Sequence, residues 1–236
     1  MVLSPTNERE NTMNRRWLTR ALIALAVPAL TVTALTSAAT AAAGAKVPTI
    51  NAVAKIYPHL AGGTSSESAM KVYGPGKKCK TSKVIKGASG RSASYSPDYT
   101  SGDPNAYQVT GDRPLVSVQA FTFRTAKAAI AYLRGYAKQA KDCPTTNPGG
   151  GGGGGGTPQC TATTRKIAFK LGNERRGHQI RSTCEVAGQK STSVMNLLFA
   201  RKGRFIVYAN AMSMDATAPS IPRSVQLTAK ALKTVG

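Results

Sequence analysis

The residues of this chain that could do chemistry are few, and their spacing narrows what that chemistry can be. Four cysteines, Cys79, Cys143, Cys160 and Cys184, stand no closer than 17 positions apart, and the only histidines are His59 and His178. A zinc site requires close cysteine pairs or neighbouring histidines, so thiols spaced like this point to disulfides. A hydrolase needs a nucleophile, a base and an orienting acid. The run GASGRS, residues 87–92, approaches a nucleophile elbow, but Arg91 stands where G-x-S-x-G requires its last glycine, and such a run reads as a flexible turn. His178 falls at an alternating strand position, where a lone histidine is structural or exposed. Glu174 and Glu185 are too isolated to form an acid pair. Gly149 to Gly156 leads into Thr157-Pro158 rather than Gly-Lys-Ser/Thr, so it is not a P-loop. Asp98, Asp103 and Asp112 lack the alternating spacing of a calcium loop and read as turn caps. The sequence assigns no catalytic residue, no cofactor and no metal. It reads as a non-enzyme, with a secreted hydrolase of unrecognised site as the alternative.

What remains is charge. Lys77, Lys78, Lys80, Lys83 and Lys86 surround the first cysteine, and Arg165, Lys166, Lys170, Arg175, Arg176 and Arg181 decorate a later hairpin. On one sheet edge they would make a phosphate-binding strip; the competing reading is a solvated face. Lys77, Lys78, Lys80, Arg175, Arg176 and Arg181 are the candidates for contact with an anion. The whole chain carries a formal charge of +22. From Ala45 onward, 28 basic residues face 8 acidic ones, giving +20. An exported protein this basic is drawn to wall polymers, lipid headgroups or nucleic acid. Scattered tyrosines disfavour base stacking, so an anionic wall polymer ranks above nucleic acid.

Export is the reading of residues 1–45. MNRRWLTR supplies a positive n-region, ALIALAVPALTVTALTS an apolar stretch, and AATAAAGA cleavage options after Ala41, Ala43 or Ala45. Arg15-Arg16 partly matches a twin-arginine signal. The rival is an uncleaved anchor, since the uncharged run could span a bilayer. With cleavage, no stable membrane span is left and the protein is secreted, with the cell wall as its place of association. Residues 46–69 read as a lead-in with a short helix, and 70–236 as one α+β domain containing a glycine-rich spacer at 147–158.

The elements that must position these residues come from periodicity. Ile50, Val53, Ala54 and Tyr57 share a helical face that Pro58 ends. Gly62 to Ser66 reads as a loop. MKVY, KVI and RSASYS are short strands, and residues 96–114 an irregular excursion. LVSVQAFTF, residues 115–123, is apolar on both faces, which predicts a central strand covered on at least one side. Thr125 caps a helix whose stripe is Ala126, Ala129, Ile130, Leu133, Tyr136, Ala137 and Ala140. Two hairpins come next, the second turning at Arg201-Lys202-Gly203. A last helix has Val225, Ala229, Leu232 and Val235 on one face. The fold class is α+β: an antiparallel sheet with helices packed on one face, held by two disulfides.

Four cysteines allow three pairings. Cys160 and Cys184 are symmetric about Gly172, which antiparallel pairing would set opposite one another, leaving Cys79 for Cys143. Pairing of Cys143 with Cys160 and of Cys79 with Cys184 stays open. Eight glycines cannot contribute to a core, so the tract between Cys143 and Cys160 reads as a slack connector spanning about 15 Å as a coil.

The long gap between the first two cysteines, the F-x-F strand and Ala-rich helix within FTFRTAKAAIAYLRGYAKQAKDC, and two cysteines in a β-rich tail ending in a helix form a recognisable order. From about Met70 to Val235 the chain resembles the extracellular sensor domain of actinobacterial PknH-type Ser/Thr kinases, a domain also found free-standing in exported proteins. The resemblance implies an α+β domain, disulfides paired first-to-second and third-to-fourth, and a cleft for an extracellular ligand. It carries over no ligand-contacting residue. The glycine tract, the strong basic charge and the lack of a kinase domain depart from it. The functional expectation is an exported, non-enzymatic, sensor-like module binding an anionic or amphipathic extracellular ligand, with a basic structural or adhesive wall protein as a further alternative.

Overall fold

The computed structural model describes residues 45–75, 83–142, 159–186 and 188–235 of the 236. Seven strands form one antiparallel sheet: β1 (Thr64–Met70), β2 (Ser89–Ser96), β3 (Leu115–Thr122), β4 (Gln159–Lys166), β5 (Glu174–Val186), β6 (Gln189–Lys202) and β7 (Phe205–Ser213). Their order across the sheet is β1-β2-β3-β7-β6-β5-β4. The first three strands walk in from one edge. The chain then crosses to the far edge, and β4 to β7 walk back until β7 closes against β3. Among the described residues the helices are α1 (Ile50–Ala54), α2 (Ala126–Asp142) and α3 (Ile221–Val235), with a short 3-10 turn at Pro58–Leu60.

Strand alternation sorts the core into two clusters on opposite faces of this sheet. Val116, Val118 and Ala120 of β3 stand opposite Ala211, Ala209 and Val207 of β7, and they pack with Leu227, Ala231 and Val235 of α3 and with Val53 of α1. Phe121 and Ile206, one register step away, point the other way and pack with Ala129, Tyr132 and Leu133 of α2. The helices therefore cover both faces, which corrects the expectation that they share one. The physical reason lies at the end of β3, where Phe121 and the following Phe123 set two rings on the face away from α3 and α2 covers them.

Other expectations shift for local reasons. Gly62 to Ser66 is not all loop, because β1 starts at Thr64. TSSESAM has no apolar alternation and is held by main-chain pairing from Thr64–Ser96 to Met70–Gly90, which leaves no side-chain signature to read. Of MKVY only Met70 is in the strand, and Tyr73 makes an isolated bridge to Val84. In the second hairpin Lys202 pairs with Phe205, so the turn is Gly203-Arg204, one residue later than expected. Arg201 is thereby drawn into β6, where its guanidinium meets Glu174 at 3.3 Å and is buried. On α3 the buried positions are Ser224, Leu227, Thr228, Ala231, Leu232 and Val235, while Val225 and Ala229 are only half-buried. Ser224 and Thr228 can go inside because each hydroxyl donates to the carbonyl four residues back, at 3.0 and 2.8 Å.

The Gly172 turn settles one disulfide. Gly172 has φ of +64°, and an added Cβ would run into the Arg201 carbonyl. Asn173 N–H donates to that same carbonyl at 2.7 Å, and Asn173 Oδ1 accepts from Gly203 N–H at 3.0 Å. The two hairpin ends are thus pinned together, and the register set there places Cys160 opposite Cys184. These two cysteines are bonded, with Cα atoms 4.1 Å apart. Cys79 and Cys143 lie outside the described residues, as do residues 147–158 and the export segment before Ala45.

Residues 46–69 contribute to the same sheet and core. Val47, Val53, Tyr57 and Leu60 are buried in the α3-side cluster, and Tyr95 donates to the Pro48 carbonyl at 2.6 Å. His59 Nε2–H donates to the Pro114 carbonyl at 3.1 Å, which leaves Nδ1 buried without a partner. Burial holds the His59 pKa below its usual 6.5, with Arg113 and Arg223 adding repulsion against the Pro114 bond. A histidine whose folded pKa is depressed contributes stability above about pH 6.5 and loses it as pH falls through the folded value. Denaturant midpoints taken between pH 7.5 and 5 should fall on acidification, and His59→Gln should flatten that limb. An unchanged limb in the variant would mean that His59 does not carry it.

Candidate functional site

The described anion-binding candidates all lie on β5, yet they do not converge. Arg175 stands opposite Ala200 and Arg181 opposite Val194, on the α3 face of the sheet. Arg175 Nε–H donates to the Phe169 carbonyl at 2.7 Å, and the Arg181 guanidinium donates to the Ala216 carbonyl at 2.8 Å. Arg176, between them in sequence, points to the α2 face opposite Phe199. Consecutive residues of a strand cannot share a face, so these arginines do not make one strip. Lys77, Lys78 and Lys80 lie outside the described residues.

Arg176 sits in the more developed setting. Across β5, β6 and β7 it forms a row with Phe199 and Tyr208, and β3 continues the row with Gln119. The next row reads Lys166, His178, Leu197, Asn210 and Ser117. From α2, Tyr132 and Tyr136 reach over Tyr208, and the Tyr132 hydroxyl is in hydrogen-bond contact with both. Burial pushes the Tyr208 hydroxyl up to about 12, opposed by its bond with Tyr132 and by the Arg176 charge. The phenols are thus neutral donors at physiological pH, next to a fixed cation.

The two faces of β6 are finished to different degrees. Val194, Asn196, Leu198 and Ala200, facing α3, are 1 % exposed or less. Met195, Leu197 and Phe199, facing α2, are only half-buried, as are Ile180 and His178 beside them on β5. The α2-side cluster gathers near Phe121, Phe123 and Ile206, so the apolar strip from Phe199 toward Met195 is partly open, with Arg176 and exposed Lys166 along its margin. Within it, Asn210 Oδ1 is shielded from water and has no partner. An acceptor left in that state costs about 1–3 kcal/mol. Sequence reasoning passes over Asn210, whose only signal is an amide in the otherwise apolar run IVYANAM.

A depression of about 400 Å³, open to solvent, lies on the α3 side between Thr49, Asn51, Ala52, Lys55, Ile56 and Lys230. It adds two cations but no buried polar group. His178 stands between Lys166 and Leu197. Ser89 and Ser92 of the GASGRS run lie within β2 rather than on an elbow. Among the described residues no three of His, Cys, Asp or Glu gather as a metal site, and no helix is long and apolar enough to cross a membrane.

No protein-family model and no curated protein matches the chain. Among solved structures it is similar to the extracellular domain of PknH from Mycobacterium tuberculosis, at 14% identity over 79% of this chain and 91% of that one, with a TM-score of 0.39. A likeness of that size carries no argument about function.

Proposed function

We propose that the chain is an extracellular, non-enzymatic ligand-binding module, and that its ligand face is the partly open sheet surface beside α2. The ligand class is an anionic amphiphile: its apolar part lies along Leu197, Met195 and Ile180, and its anionic group meets Arg176 and Lys166. An anionic wall polymer, drawn in by the +20 of the exported part, is the partner class that the charge favours. The observation carrying the reading is the asymmetry of β6, sealed on one face and half-covered on the other, with Arg176 and Lys166 bordering the open strip. The Cys160–Cys184 bond supports an oxidising compartment.

Calorimetric titration with a long-chain monoalkyl phosphate tests this. Arg176→Ala should weaken binding by about tenfold, the worth of one charge-assisted contact. Arg181→Ala, which alters the other face, should change it little. High salt should weaken binding without abolishing it, since the apolar contact is not screened. Equal losses in the two variants would leave only diffuse attraction and sink the assignment of the face.

A further inference from the structure

The segment joining β2 to β3, residues 97–114, holds a feature that ligand binding does not use. Tyr99 and Tyr107 stack with ring centroids 4.8 Å apart and planes inclined by 20°. Both are open to solvent, at 45 % and 74 % exposure. The segment around them is braced. Asp98 accepts from Thr100 N–H at 2.8 Å and from its hydroxyl at 2.7 Å. Asp103 accepts from Asn105 N–H at 2.8 Å and from the Arg113 guanidinium at 2.6 Å. Ala106, next to Tyr107, is buried and anchors the far side. Solvated tyrosines on an unbraced loop would separate; here the backbone holds two phenols side by side where an oxidant can reach both.

The geometry points to Tyr99 and Tyr107 as an oxidative cross-linking site, closed to dityrosine by a peroxide-driven one-electron oxidant of the haem-peroxidase class. Each phenol gives up its hydroxyl hydrogen as one proton and one electron. The two phenoxyl radicals join through ring carbons ortho to oxygen. The hydrogens on those carbons then return to the oxygens, restoring both aromatic rings and both hydroxyls. The two protons and two electrons released reduce one hydrogen peroxide to two waters. Near-parallel stacking means that coupling requires one ring to slide over the other, not a loop rearrangement, so the pair reacts as an intramolecular one. A contrasting pair exists in the same molecule. Tyr132 and Tyr136 share the 4.8 Å separation, but their planes meet at 62° and Tyr132 is only 8 % exposed. The consequence is a covalent lock on the β2–β3 segment in a protein whose described cysteines are already oxidised.

The full exported chain, treated with a haem peroxidase and limiting peroxide, is digested and mapped by mass spectrometry. Trypsin leaves both rings in the one peptide from Ser92 to Arg124, since Pro114 protects Arg113, and that peptide should lose the mass of two hydrogens. Cleavage before aspartates separates 98–102 from 103–111, and the product should hold these two pieces together. The 99–107 link should exceed any other tyrosine link by at least about tenfold, the advantage of prepositioned partners. Tyr107→Phe, at an exposed position, should abolish it, and Tyr73→Phe should leave it unchanged. Covalent dimers, a 132–136 link, or no link at all would each overturn the assignment.

Discussion

Replacing Cys160 and Cys184 together by serine is expected to destabilise the protein by about 3 kcal/mol, the chain-entropy value for a closed loop of this length. The bridged cysteines are 24 positions apart. In a chain of this size that loss lowers the melting temperature by roughly 6–12 °C. The effect should be uneven across the sheet. β4 is an edge strand paired only with β5, and its side chains from Thr161 to Lys166 are exposed. It therefore buries little apolar surface of its own, and the bridge is the main tether at its outer end. Calorimetry gives the global change, and amide exchange should show β4 losing protection before β6 and β7. A loss below about 1 kcal/mol would mean that the hairpin persists in the unfolded chain, where the bridge then constrains little.

Asn196→Ala is expected to cost about 3 kcal/mol, combining a cavity with stranded polar groups. Asn196 is 0 % exposed in the middle of β6. Its Nδ2 donates to the Pro219 carbonyl at 2.8 Å and to Ser224 Oγ at 3.2 Å, and its Oδ1 accepts from Gln179 Nε2 at 2.9 Å. Ser224 Oγ in turn lies 3.4 Å from the Tyr57 hydroxyl, which burial holds above its usual pKa and so keeps neutral. One amide thus joins β5, the approach to α3, α3 itself and the N-terminal segment. Ser224→Ala should cost about 1 kcal/mol, and the double variant should cost less than the sum, since the two share bonds. Urea midpoints of the four proteins close the cycle. Strict additivity would show that the groups act separately. Asn196→Asp should be worse than alanine near neutral pH, because it buries a charge and removes both donors.

Much of the scaffold is legible where the signal is local. Thr125 reads as a helix cap, and its Oγ1 accepts from Ala128 N–H at 3.1 Å. The symmetry of Cys160 and Cys184 about Gly172 yields the observed register because one turn fixes every pair in a hairpin. The two-sided apolarity of LVSVQAFTF yields its central place. β1 escapes a sequence reading because an edge strand of serines is held by its backbone. Asn196 and Asn210 escape it because an amide inside an apolar strand looks alike whether it is satisfied, as the first is, or orphaned, as the second is.

The candidate site is hardly legible. Arg175, Arg176 and Arg181 read as one cluster along the chain, and only alternation combined with the identity of each roof separates them into two surfaces. By itself, the sequence determined most strand and helix periods and the symmetry of Cys160 and Cys184 about Gly172, all set by interactions between near neighbours, while the pairing of these two cysteines was decided by the folded register. Which face α2 closes, how far it reaches over β6, and hence which cations border an open apolar strip were decided by the tertiary structure. Those depend on where a long crossover returns the chain, and no run of adjacent residues encodes that destination.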